Sequence, residues 1–247
     1  MGKPAKWMVV LGAAVVALPF LAVTGFYVFL NGGIYGTILT MKSRPNPESP
    51  AIKRDRARLE ADLDGAFQRI GANMDFTRYR ESKHDVCYRG EHSFMRSEGY
   101  ANRCTLQVTR FYGFDGDFRQ KMIDFEKEVI AAGWHFGLGN GDGRLRFASH
   151  SMEDYMLKYY DVRPNVTIDQ IAGPLGYSKG PFDLRIKWAE RNTTQRLSLE
   201  LLQKATENPR GFYDERNFQN IDDLFRRMTQ DHRYVLAIAI KGNYFEN

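Results

Sequence analysis

Few residues in this chain of 247 have types and spacing that could do chemistry. Its only two cysteines, Cys87 and Cys104, have sixteen residues between them, with His84 and His92 close by. A structural zinc site uses one of a few ligand spacings, and His-x2-Cys followed by an eleven-residue gap matches none of them. A catalytic thiolate needs a neighbour that lowers its pKa and a group that orients it, and the sequence points to neither. A disulfide needs only that the two sulfurs meet. Both cysteines fall in the strands of one predicted hairpin, so the expectation is a Cys87–Cys104 bridge with no metal and no cofactor.

Gly176-Tyr177-Ser178-Lys179-Gly180 meets the letter of the pattern that exposes a serine nucleophile on a strand-to-helix turn. Pro181 and an alternating strand follow where that turn requires a helix, so no catalytic residue is assigned there. The surrounding stretch, 161–181, is irregular, rich in Gly and Pro, and far longer than the roughly 4 to 6 residues of an ordinary connection. Long loops concentrate binding surfaces, which makes Tyr177, Ser178 and Lys179 the expected binding residues. The competing reading is an unrecognised strand at Val166–Ile171. The glycines of 137–143 lack dinucleotide spacing and lead into a strand, and Asn140 and Asp142 lack the remaining ligands of a calcium loop. Asn165-Val166-Thr167 and Asn192-Thr193-Thr194 are glycosylation sequons, meaningful only where exported proteins are glycosylated.

The elements that must position these residues begin with a charge anomaly. No charged side chain occurs from Trp7 to Met41. Trp7–Leu30 is long enough, at about 1.5 Å per residue, to cross a hydrocarbon core about 30 Å thick. It exceeds the apolar region of a cleaved signal peptide, about 7 to 15 residues, and Val23–Gly25 is a poor cleavage site. Residues 1–41 therefore read as a permanent anchor, with a transmembrane helix over 7–30 whose partner is the lipid bilayer. Lys3 and Lys6 before the span nearly balance Lys42, Arg44 and the run Lys53, Arg54, Arg56 and Arg58 after it, so flanking charge leaves orientation open. The bridge requires an oxidising compartment and tips the balance toward export. The expected location is the cytoplasmic membrane, single-pass, with the C-terminal domain outside the cytoplasm.

The chain has 35 basic and 30 acidic residues; without the anchor's Lys3 and Lys6 the balance is 33 to 30. The signs alternate along the sequence, unlike the clustered basic face that neutralises phosphates, so no nucleic-acid partner is expected. The 43% hydrophobic and 26% charged composition excludes disorder of the whole chain.

Lys42–Pro50 carries three prolines and reads as a stiff linker. Ser49 then caps a helix starting at Pro50, with Leu59, Leu63, Phe67 and Ile70 on one stripe and Gly71 closing it; the opposite face is rich in arginine. Strands are expected at about 84–91 and 101–113, followed by a helix capped by Asp117 and Gln120 and ended by Gly133. Hairpin residues follow around GNGDG, then a short helix from Ser151, a strand at Phe182–Trp188, another at RLSLELL, a helix over 217–230, and Tyr234–Ile240, apolar on both faces as a central strand is. The fold class is α+β: antiparallel sheet with packed helices on one side, in which a helix-strand-strand-helix-strand unit recurs over 51–148 and 151–247.

No acid, base or nucleophile set converges in this pattern. The reading is a membrane-anchored domain, 51–247, acting as a non-catalytic binding or assembly module of the cell envelope, with a protein of membrane or envelope as its further partner. The alternative is a membrane-tethered hydrolase whose groups, among His135, Asp142, His150 and Ser178, meet only in the fold.

Overall fold

A computed structural model of the chain describes residues 23–27, 38, 42–71, 74–92, 98–136, 175–191, 211–217 and 221–247. Of the expected span 7–30, residues 23–27 are described; they are helical, with Val23, Phe26 and Tyr27 exposed. Among the described residues no helix is long and apolar enough to cross a membrane. The Val166–Ile171 stretch, the GNGDG hairpin, the Ser151 helix, the RLSLELL strand and both sequons lie outside the described residues.

The chain is α+β. Helix α1 (Pro50–Gly71) opens with the Ser49 hydroxyl accepting from the Ile52 amide at 3.5 Å, and it buries Ile52, Leu59, Leu63, Ala66, Phe67 and Ile70. Strands β1 (Thr77–Arg89) and β2 (Asn102–Phe114) follow, each 13 residues; β2 matches the expected 101–113 to within one position, whereas β1 begins seven residues before the expected 84. The polar, charged start of β1, Thr77–Lys83, lacks the alternation that marks a strand.

Helix α2 (Phe118–Ala131) starts where Asp117 accepts a 3.0 Å bond from the Gln120 amide. Only half of the expected reciprocal cap forms, because the Gln120 side chain turns forward to Asp124 at 2.9 Å. At the other end, Gly133 sits at φ +85°, where residues with a side chain are strained; its amide bonds the Ile130 carbonyl and that of Trp134 bonds Val129. Phe118, Met122, Phe125 and Val129 are all buried. Asp117→Ala is expected to cost about 1 kcal/mol, read as a lower urea midpoint at unchanged slope.

The remaining elements are β3 (His135–Phe136), β4 (Leu175–Lys179), β5 (Phe182–Glu190), β6 (Gly211–Arg216), α3 (Ile221–Asp231) and β7 (Tyr234–Glu246). All seven strands form one antiparallel sheet in the order β3-β4-β5-β7-β2-β1-β6. The last strand is thus the middle one. Its even-numbered residues Tyr234, Leu236, Ile238 and Ile240 join the main core with α1 and α2, and its odd-numbered Val235 and Ala237 pack with Phe111, Leu224 and Met228 under α3.

Helices therefore cover both faces, which corrects the one-sided cover read from the sequence; a strand apolar on both faces leaves an oily surface on whichever side stays bare. Within the described strands, β3 joins the far edge beside β4, whereas β7 lies between β5 and β2, so strands of both halves share one sheet.

The chain divides into two compact units. The larger comprises 46–88 and 104–245 and contains α1, α2, α3 and both cores. In the smaller, the Asn102 side chain donates to the Ser43 carbonyl at 3.1 Å and to Asn247 Oδ1 at 3.0 Å, and the Arg103 guanidinium lies 3.6 Å from the Tyr100 ring centroid.

Candidate functional site

Cys87 on β1 and Cys104 on β2 form a disulfide, with Cα atoms 4.0 Å apart and no exposed surface on either residue. Both sulfurs are thereby consumed. The histidines that might have joined them go elsewhere: His92 Nε2 lies 2.9 Å from the Tyr100 carbonyl, and His84 Nε2 lies 3.1 Å from Asp214 Oδ1 on β6. Among the described residues no group of three or more His, Cys, Asp or Glu side chains is arranged to hold a metal.

A charged cluster surrounds the bridge. Arg56 lies on the buried stripe of α1, one turn from Ile52 and Leu59, and reaches the sheet instead of solvent. Its Nε sits 2.8 Å from Asp85 Oδ2 without a well-directed N–H, so the contact is an ion pair more than a hydrogen bond. Its Nη2 donates to the Tyr213 hydroxyl at 3.1 Å, and its guanidinium lies 5.3 Å and 5.9 Å from the Tyr213 and Tyr244 ring centroids. The Tyr244 hydroxyl donates to Asp85 Oδ1 at 2.7 Å and lies 3.5 Å from Cys87 Sγ.

The Asp85 side chain is 6% exposed and that of Arg56 20%. Burial raises the Asp85 pKa above the ordinary carboxylate range, and the Tyr244 hydroxyl and Arg56 charge offset part of that rise. Burial and the bond to Glu215 push Tyr213 up to about 12. Beside this cluster Lys83 pairs with Glu60, and Arg110 joins Asp64 at 2.6 Å and Glu81 at 2.8 Å with its guanidinium over the Phe67 ring. The charges match between helix and sheet and clamp α1 down; the carboxylate that Arg56 meets is 29 residues away, so this pairing is not legible along the helix.

The expected binding residues lie on β4. Tyr177 has no exposed surface and its hydroxyl donates to Glu126 on α2 at 3.1 Å, so burial and the neighbouring carboxylate push its pKa up. Lys179 donates to the Ala132 carbonyl at the end of α2. Ser178 faces the other side, and its neighbours were not legible locally: His135 stands directly opposite on β3 and Asp183 directly opposite on β5, itself opposite Lys241 on β7. Side chains so paired share a face, with Cβ atoms about 4.5–5.5 Å apart.

A row His135–Ser178–Asp183–Lys241 thus crosses four strands. Asp183 is raised above its usual range by burial, with Arg185 and Lys241 lowering it in part. Of the four groups named for a hydrolase, the fold brings two into register; Asp142 and His150 lie outside the described residues. The turn after Ser178 runs through Gly180, at φ +55°, into β5 and not into a helix, so the strained serine elbow is not formed.

A small apolar cavity lined by Phe67, Ile70, Met74, Phe76 and Phe125 has a volume of about 30 Å³, far below that of a ligand pocket. No family model matches the chain, and no curated protein or solved structure is found to be similar to it.

Proposed function

We propose that this chain is a single-pass membrane-anchored protein whose folded domain stands outside the cytoplasm and serves the cell envelope as a non-catalytic binding or assembly module. The observation that carries the reading is the Cys87–Cys104 bridge buried between β1 and β2. Disulfides persist in oxidising spaces, which favours export for the orientation that flanking charge leaves open, and the uncharged Trp7–Met41 stretch is the proposed anchor. The polar clusters of the described residues support a structural role for their charges, since Arg56, Asp85, Lys83 and Arg110 are engaged between helix and sheet.

The test is cysteine alkylation in cells quenched directly into denaturant, which is required because neither cysteine is exposed. Both thiols are expected to react only after reduction, in a chain that stays with membranes through a carbonate wash. Thiols that react without reductant would place the domain in the cytoplasm, and a chain released by carbonate would remove the anchor.

The placement of His135 opposite Ser178 favours a second reading, a membrane-tethered hydrolase. A fluorophosphonate probe distinguishes the two. No labelling is expected for a binding module, and labelling abolished by Ser178→Ala would establish the hydrolase.

A further inference from the structure

We infer that the outer arginine stripe of α1 rests on anionic lipid headgroups, an inference that deepens the membrane-tethered reading and rests on it. At 100° per residue, Arg54, Arg58, Ala61, Gly65 and Arg69 fall on one stripe, diametrically opposite the buried line of Ile52, Leu59, Leu63, Phe67 and Ile70. Arg54, Arg58, Ala61 and Arg69 are exposed; Asp62, one turn from Arg58, borders the stripe, and Asp55 stands further to one side. The other basic groups of the first turns are already engaged: Lys53 pairs with Glu48 at 2.5 Å and Arg56 with Asp85. What remains outward is a row of cations separated by small residues, the shape that lets guanidinium groups reach phosphates on a flat surface without a bulky side chain between.

Chain length makes such a surface available. Nineteen residues, 31–49, separate Leu30, the end of the expected span, from α1. A spacer of that length reaches at most about 60 Å even at the roughly 3.1 Å per residue of a fully extended chain. A short tether gives an effective concentration in the millimolar range, so weak contacts suffice. Each arginine close to an anionic surface contributes about fivefold, and three together about a hundredfold, in favour of the docked state.

The experiment uses the full chain in nanodiscs of phosphatidylcholine, with or without phosphatidylglycerol, carrying a nitroxide at Ala61→Cys on the stripe; the native cysteines are bonded and buried and do not take the label. In anionic discs the nitroxide is expected to lose accessibility to a water-soluble nickel chelate severalfold relative to neutral discs. That protection should vanish in 1 M salt, where the screening length falls to about 3 Å, and in Arg54→Gln/Arg58→Gln/Arg69→Gln. A nitroxide equally open to water in both discs, in a chain that resists carbonate, overturns the headgroup contact and leaves the tether standing. A chain that does not remain with the discs overturns both.

Discussion

Replacing Cys87 and Cys104 together by alanine is expected to lower the stability of the domain by about 3 kcal/mol, the loop-closure term for a link spanning 17 positions. Alanine is the appropriate replacement because a serine hydroxyl at either site, with no exposed surface, would add the separate cost of burying an unpaired polar group. Urea unfolding of the oxidised chain and of the variant measures the difference. The variant should be indifferent to reductant, whereas the native chain should lose the same increment once reduced in denaturant and resist reduction while folded. A variant as stable as the native chain would show that the bridge merely joins strands already held by β1–β2 pairing.

Asp85→Ala is expected to cost a similar amount, about 3 kcal/mol, at the low end of the range for breaking a buried pair, since Arg56 keeps some contact with water and with Tyr213. The loss comes from stranding a guanidinium between two tyrosine rings more than from the attraction removed. The compensated variant Arg56→Met/Asp85→Leu/Tyr244→Phe takes away both charges and the hydroxyl that donates to Asp85, and should return to within about 1 kcal/mol of the native chain. A compensated variant no more stable than Asp85→Ala would refute that account.

The pH dependence of the same site has a definite sign. Burial raises the folded Asp85 pKa, so the folded state holds this proton more tightly than the unfolded one. Ionisation of Asp85 therefore costs stability above its folded pKa, and that cost is relieved as pH falls through the folded value toward the unfolded one. Asp85→Ala should remove this relief, so the stability difference between native and variant chains should widen on mild acidification.

The two variants probe contacts of very different legibility. Those readable in the sequence arise from groups close along the chain: the Ser49 and Asp117 caps, the apolar stripes of α1 and α2, the Gly133 stop, and the cysteine pair in neighbouring strands of one hairpin. Here periodicity or a single turn residue fixes local geometry, and few alternatives compete. Tyr234–Ile240 was legible for the same reason, because a strand apolar on both faces is stable only with neighbours and cover on both sides.

What tertiary structure alone decided is who meets whom at long range. Tyr244 reaches Asp85 across 159 positions and Arg56 reaches Tyr213 across 157. His84 meets Asp214 across 130, on β6, a strand too polar to announce itself. Ser178 gained His135 and Asp183 as neighbours only because β3 and β5 flank β4. An arginine looks the same in sequence whether it faces water or a carboxylate; strand order selects between them, and strand order is set by the total apolar surface the assembled sheet removes from water.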